Sequence, residues 1–265
     1  MQDFTYAART LSKSPVFTIA AAMTIALGIG ASTAIFSVTH AVLLRPLPYR
    51  NPDRLVLAWK DYTKPHRRNL PFNNGEFFDL RDGTSAVFED MGAVFTFRVI
   101  LPREDATPER IYKAQVTTNF FRLMGARIAF GRDFTADDGL PQPAQREALP
   151  PVGRVAILSY EYWKRRYGGN VGVIGHELMS PGRRGPEIVG VLAPGFELFF
   201  PASAMTEAKP DVWIANNLAY DRGPAGLRVI GRLRGGVSLS RAQEEVDLAG
   251  KNANSDLSVR LQPML

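Results

Sequence analysis

The chain has no cysteine, only three histidines and, across residues 16–44, not one Asp, Glu, Lys or Arg. The missing cysteine excludes disulfide frameworks, thiolate zinc sites and cysteine nucleophiles, and it leaves the redox compartment unread. A chain of 265 residues, 45% of them apolar, can build a core without such staples. His40, His66 and His176 are far apart in sequence and have no cysteine beside them, so there is no compact His/Cys metal motif. No G-x-S-x-G elbow is present. Neither Gly168-Gly169 nor Gly172 leads into a Gly-Lys-Ser/Thr, so there is no P-loop either. Gly28-Ile29-Gly30 lies inside the uncharged run rather than after a strand, which removes a dinucleotide reading. Asp137-Asp138 and Glu244-Glu245 lack a partner at any spacing that would mark acid/base work, so they read as solvated surface. Trp163 and Trp213 read as core. No catalytic, cofactor-binding or metal-ligating residue is nominated, and the chain is not expected to be an enzyme.

The uncharged run is the strongest positive signal. A helix crosses the hydrocarbon core with about 20 residues, and residues 16–36 hold nothing more polar than Thr, Ser and Gly. Ser14-Pro15 opens such a helix, with Ser as N-cap and Pro pre-set for the first helical position. Arg45-Pro46-Leu47-Pro48 closes it, because proline cannot continue the ladder. The run exceeds a bilayer's thickness, so its last turns, 37–44, are expected to project as a stalk. Small residues recur every fourth position, in one row as Ala20, Thr24, Gly28 and Ser32 and in another as Ala22, Ala26, Gly30 and Ala34, the pattern of a helix–helix seam. Before it, Phe4, Ala7, Ala8 and Leu11 at helical spacing suit a short interfacial helix. The alternative is a cleaved signal peptide, with Ser32-Thr33-Ala34 as its small-residue site, which would release a periplasmic binding or sensing module.

The chain carries 32 Lys+Arg against 26 Asp+Glu, for a net charge of +6. The signs are interspersed, as in Arg103-Glu104-Asp105, so the excess reads as a mixed solvated surface and not as a nucleic-acid footprint. Arg9 and Lys13 precede the apolar run, whereas Arg45, Arg50, Arg54, Lys60, Lys64, Arg67 and Arg68 follow it. Counted naively, the positive-inside rule points the wrong way, but long domains translocate largely regardless of charge.

Beyond residue 46 strand-like and helix-like runs alternate, which predicts an α+β domain. Strands are expected at 55–60, 94–101, 111–117, 155–158, 188–192, 211–215 and 227–233. Asn73-Asn74-Gly75 opens a helix with Phe77, Phe78 and Leu80, and Thr118 is expected to cap another that holds Phe120, Phe121, Leu123 and Met124 and stops at Gly125. Ser159 caps a third, with Tyr160, Trp163 and Tyr167, stopped by Gly168-Gly169. Ser240 and Gln243 are spaced as a capping box for the last helix, whose buried side holds Ala242, Val246 and Ala249. Residues 135–151 read as a loop, and 177–179 with 188–192 flank PGRRGP as a hairpin with a long turn.

In order along the chain, SPVFTIAAAMTIALGIGASTAIFSVTHAVLLRPLPYRNPDRLV (14–56), TTNFFRLMGARIAFGRDFTADD (117–138), VAILSYEYWKRRYGGNVGVIG (155–175), EIVGVLAPGF (187–196), DVWI (211–214) and LRVIGRLRGGVSLSRAQEEV (227–246) resemble one family, the MacB/FtsX-type ABC transporter permeases, in their MacB-like periplasmic core domain. The resemblance implies a bacterial inner-membrane protein with a cytoplasmic N-terminus and its bulk in the periplasm. It divides the chain into a cytoplasmic interfacial segment (1–14), a transmembrane helix with stalk (15–45), a porter-like subdomain in two parts (46–130 and 216–265) and an inserted β-rich subdomain (131–215). It implies an ABC ATPase partner that hydrolyses ATP on a separate subunit, a homodimer or a pairing with another permease chain through the transmembrane helix, and a role in export by transmission of motion. It leaves open whether macrolides, peptides or lipoproteins are exported. The family continues into further transmembrane helices after 254–265, so the chain reads as a fragment, a truncated form or half of a split gene.

Overall fold

A computed structural model describes residues 15–39, 49–62, 66–102, 108–139, 155–178, 185–204, 206–207, 209–216, 226–253 and 256–264. The chain separates into two compact units, Met1–Pro46 and Leu47–Leu265.

In the first unit the uncharged run forms helix α1, Pro15–Thr39, of 25 residues, beginning at the proline as expected. Its described large side chains are open to the surroundings, Val16 at 81% and Leu27 at 76%. Thr24 returns its hydroxyl to the Ala20 carbonyl at 2.9 Å, which satisfies the polar group within the helix. The interfacial segment 1–14, the end of the stalk and His40 lie outside the described residues. Among the described residues no helix is long and apolar enough to cross a membrane.

The second unit is a mixed α/β domain built on one ten-stranded sheet in the order β10-β1-β9-β3-β4-β8-β6-β7-β5, with β2 paired to β1. Its elements in chain order are β1 Leu55–Tyr62, β2 Arg67–Leu70, α2 Asn74–Gly83, β3 Phe88–Pro102, β4 Pro108–Val116, α3 Phe120–Met124, β5 Ile128–Gly131, β6 Val155–Leu158, α4 Tyr160–Tyr167, β7 Glu187–Leu192, β8 Val212–Ala215, β9 Arg228–Leu233, α5 Leu239–Ala253 and β10 Leu257–Pro263. The pairings are antiparallel except β4 with β8 and β6 with β7.

Both faces of the sheet are covered, so β1 is buried continuously through Lys60 rather than at alternate residues. Val56 and Ala58 join Phe77, Leu80, Val229, Ala242 and Val246 beneath α2 and α5. Leu55, Leu57 and Trp59 join Ile230, Phe120 and Phe121 on the opposite face, and this cluster runs on to Val155, Ile157, Val189 and Trp213. A third cluster, with Leu158, Tyr162, Trp163 and Ile214, lies under α4. The expected subdomain boundaries at 131 and 215 thus fall inside one sheet, and the cluster around Phe121 and Trp213 draws on residues from both sides of them.

Local signals explain most helix ends. Asn73 accepts the Glu76 amide at 2.8 Å while Glu76 accepts the Asn73 amide at 2.9 Å, a full capping box. Ser159 accepts the Tyr162 amide at 3.1 Å, and Gly168, at φ 60°, ends α4. Two expected caps are corrected. The N-cap of α3 is Asn119, not Thr118, and its amide group is drawn away to Asp90 at 2.6 Å and the Met91 carbonyl at 2.8 Å. At α5 it is Ser238, not Ser240, that accepts an amide, from Arg241 at 3.2 Å.

Gln243 has a different task from the expected capping one. It donates to the Val259 carbonyl at 2.7 Å and accepts the Leu261 amide at 2.8 Å, so one side-chain amide covers two main-chain groups on β10, the sheet's terminal strand. Uncovered edges invite pairing with other chains. Gln243→Leu is expected to cost about 1–3 kcal/mol, the price of stranding these groups, and to raise concentration-dependent association. Urea unfolding and light scattering would check both, and unchanged values in each would remove this role.

Candidate functional site

The best-defined constellation surrounds residues 49–54, the lead-in to β1. Asn51 takes the left-handed conformation, φ 43°, which Asn tolerates better than most residues. Pro52 then opens the short 3-10 turn Pro52–Arg54. Tyr49 is buried; its hydroxyl donates to the Glu197 carbonyl at 2.8 Å and accepts the Phe199 amide at 2.9 Å. Burial pushes its phenol well above the usual range. The Arg50 amide donates to the Met124 carbonyl at 2.9 Å, at the end of α3. Gly125, at φ 77°, makes this approach possible, since a Cβ there would lie 2.5 Å from the Arg50 Cβ.

Arginines complete the arrangement. Arg54 donates through Nε to the Leu233 carbonyl at 2.8 Å and pairs with Glu89, which Arg50 also reaches, at 3.2 Å. Arg232 of β9 is fully buried and donates to the carbonyls of Asn51, at 3.1 Å, and Leu123. The same face of β9 carries buried Arg228, which donates to the Ala204 and Asn69 carbonyls and lies 5.4 Å over the Trp59 ring. The chain also leaves the sheet here: β10 runs antiparallel to β1 with Pro263 opposite Val56, and the Met264 amide donates to the Leu55 carbonyl at 3.1 Å.

Glu89 is thus the carboxylate shared by Arg50 and Arg54. Its hydrogen bond from Arg54, with the added charge of Arg50 and Arg232, holds it below the usual carboxylate range. A carboxylate whose folded pKa is depressed contributes stability above its unfolded value, about 4.3, and loses it as pH falls through the folded value. These ion pairs are therefore expected to persist at pH 4.5 and fail on further acidification. Titration of the Glu89 carboxyl carbon by NMR checks this, and an ordinary midpoint would contradict it.

The chemistry-bearing side chains considered from sequence are not brought together. Asp138 takes Arg132 at 2.7 Å together with the Thr135 amide and hydroxyl, closing a short turn. Glu244 and Glu245 both pair with Arg241 on the surface of α5. Trp163 is core, its indole donating to the Asn170 carbonyl at 2.8 Å. His176 serves the fold through its main chain, accepting the Ile188 amide at 2.9 Å. Among the described residues no three His, Cys, Asp or Glu side chains gather as a metal site. Open clefts of about 380 Å³, beside Glu89 and Arg234, and about 300 Å³, beside Tyr112 and Glu207, hold groups of mixed sign. Sequence reasoning missed Tyr49, Glu89 and Arg232. The available signal was Arg228 and Arg232, two arginines inside an otherwise apolar strand.

No curated protein shows significant sequence similarity to the chain. The fold is similar to the periplasmic region of MacB from Actinobacillus actinomycetemcomitans, at 10% identity and a TM-score of 0.56 over 80% of this chain and 89% of that one. It is also similar to the extracellular domain of the noncanonic ABC-type transporter YknZ from Gram-positive bacteria, at 13% identity and a TM-score of 0.52 over 77% and 99% of the two chains. Residues 18–249 match the family described as the MacB-like periplasmic core domain. The family match runs over most of the chain and the fold agrees with it, and the chain belongs to the MacB-like periplasmic core domain family of ABC transporter permeases.

Proposed function

We propose that α1 tethers this domain to the bacterial inner membrane as a single span with a cytoplasmic N-terminus, and that the domain receives motion along that helix from a separate ABC ATPase. At 1.5 Å per residue the 25 residues of α1 would measure about 37 Å, more than the roughly 30 Å of hydrocarbon. Its sequence carries no charge, and its described apolar side chains, including Ile19, Met23, Ile25 and Ile29, are exposed. The small-residue rows suit a close partner helix, from a second copy or from another permease chain. ATP hydrolysis belongs to the partner subunit in this reading, and the role is export by transmitted motion.

The observation that carries the coupling is the lead-in segment. Residues 49–54 are stitched to α3, β9, Glu89 and the 197–199 main chain, so a displacement arriving there loads the core directly. The test expresses the full chain with a C-terminal tag, fractionates the cells and adds protease to spheroplasts. Full-length protein in the inner membrane, digested from outside, is expected. A shorter product released with the periplasmic contents would replace the tether with a signal peptide and leave a soluble module.

A further inference from the structure

We propose that Arg232 is the positioning residue of a clamp that makes the lead-in segment, the end of α3 and the end of β9 move as one body. The role rests on the coupling reading above. Arg232 is wholly buried, yet no carboxylate lies within ion-pairing distance of it among the described residues, and its Nε has no hydrogen-bond partner there. A buried guanidinium is costly unless its donors are used. Apolar residues often replace buried ionic groups at no loss of stability, and β9 is otherwise apolar at Val229, Ile230 and Leu233. What the guanidinium adds is a rigid planar fork. One prong holds the Asn51 carbonyl of the lead-in and another the Leu123 carbonyl in the last turn of α3.

The contacts around it close the same joint. The Arg50 amide holds the neighbouring α3 carbonyl, Met124, and Arg54 holds the Leu233 carbonyl of the strand that carries Arg232. These are directional bonds to main-chain carbonyls, so they fix position. From α3 the path continues through Phe121, whose ring centroid lies 5.2 Å from that of Trp213 on β8. The clamp therefore joins the chain's point of arrival to the half of the sheet built from β8, β6 and β7.

The test is amide hydrogen exchange on the full chain in detergent micelles, comparing Arg232→Met, Arg232→Lys and Gly125→Ala with the parent. In Arg232→Met the Arg50 and Arg54 amides should exchange at least tenfold faster, while the amides of Ala93 on β3, bonded to the Thr117 hydroxyl, and Leu227 just before β9, bonded to the Phe72 carbonyl, keep their rates. Arg232→Lys should fall between, because one ammonium cannot reproduce the fork. Gly125→Ala, whose Cβ would press on Arg50, should free the same two amides with Arg232 intact. Unchanged rates at Arg50 and Arg54 in Arg232→Met overturn the proposal. If that variant loosens the whole sheet, Gly125→Ala decides: selective loss at the two amides sustains the clamp, and none overturns it. The measurement does not depend on where the domain resides, so failure of the clamp and failure of the membrane reading are separate results.

Discussion

Trp213→Ala is expected to lower the stability of the sheet domain by about 3–5 kcal/mol, the usual range for removing a buried tryptophan. Trp213 is fully buried on β8, with its ring centroid 6.0 Å from Phe120, 5.2 Å from Phe121 and 5.5 Å from Phe196. β8 is the strand through which the β6–β7 half of the sheet joins β4. A cavity there loosens the contact that makes the halves one body. A domain is stable by about 5–15 kcal/mol in total, so the loss would be a large fraction and should appear in a urea-unfolding midpoint. Trp213→Phe should cost clearly less. It keeps an aromatic ring against Phe121, and it removes an indole N–H that has no hydrogen-bond partner among the described residues. If the alanine and phenylalanine variants are equally stable, Trp213 is not the keystone of this core.

Leu27→Arg is expected to move the chain out of the membrane fraction. Leu27 lies near the middle of α1 and is 76% exposed within the protein, so the change disturbs little packing. At the centre of a span an arginine costs about 2.5–3.5 kcal/mol, whereas a leucine is mildly favourable. For a lone span the difference, about 3–4 kcal/mol, is a shift of more than a hundredfold. Leu248→Arg is the matched control. Leu248 is 57% exposed on α5, so the same substitution there should leave fractionation and stability within about 0.5 kcal/mol of the parent. Carbonate extraction of membranes from the two variants reads the result. Equal retention of both would sink the tether.

What could be read from residues one after another was local. The length without charge announced α1. Asn73, Ser159, and the glycines 125 and 168 marked helix ends, because each satisfies or terminates the ladder within a few residues of itself. The misplaced caps share one cause. Thr118 and Ser240 are good caps in isolation, but Asn119 and Gln243 are engaged by distant partners, Asp90 and Val259, that no local spacing reveals. Strand β10 was legible in principle, since Leu257, Val259 and Leu261 alternate and are buried.

The sequence by itself determined the uncharged helix, the α+β alternation and the family, because hydrophobic length, period and ordered motifs are properties of neighbours along the chain. Only the tertiary structure decided that one sheet crosses the expected subdomain boundaries, that chain arrival and departure share adjacent strands, and that Arg232 holds Asn51 and Leu123 together. Those facts depend on residues about a hundred or more positions apart, and a buried arginine is told from a solvated one only by what packs around it.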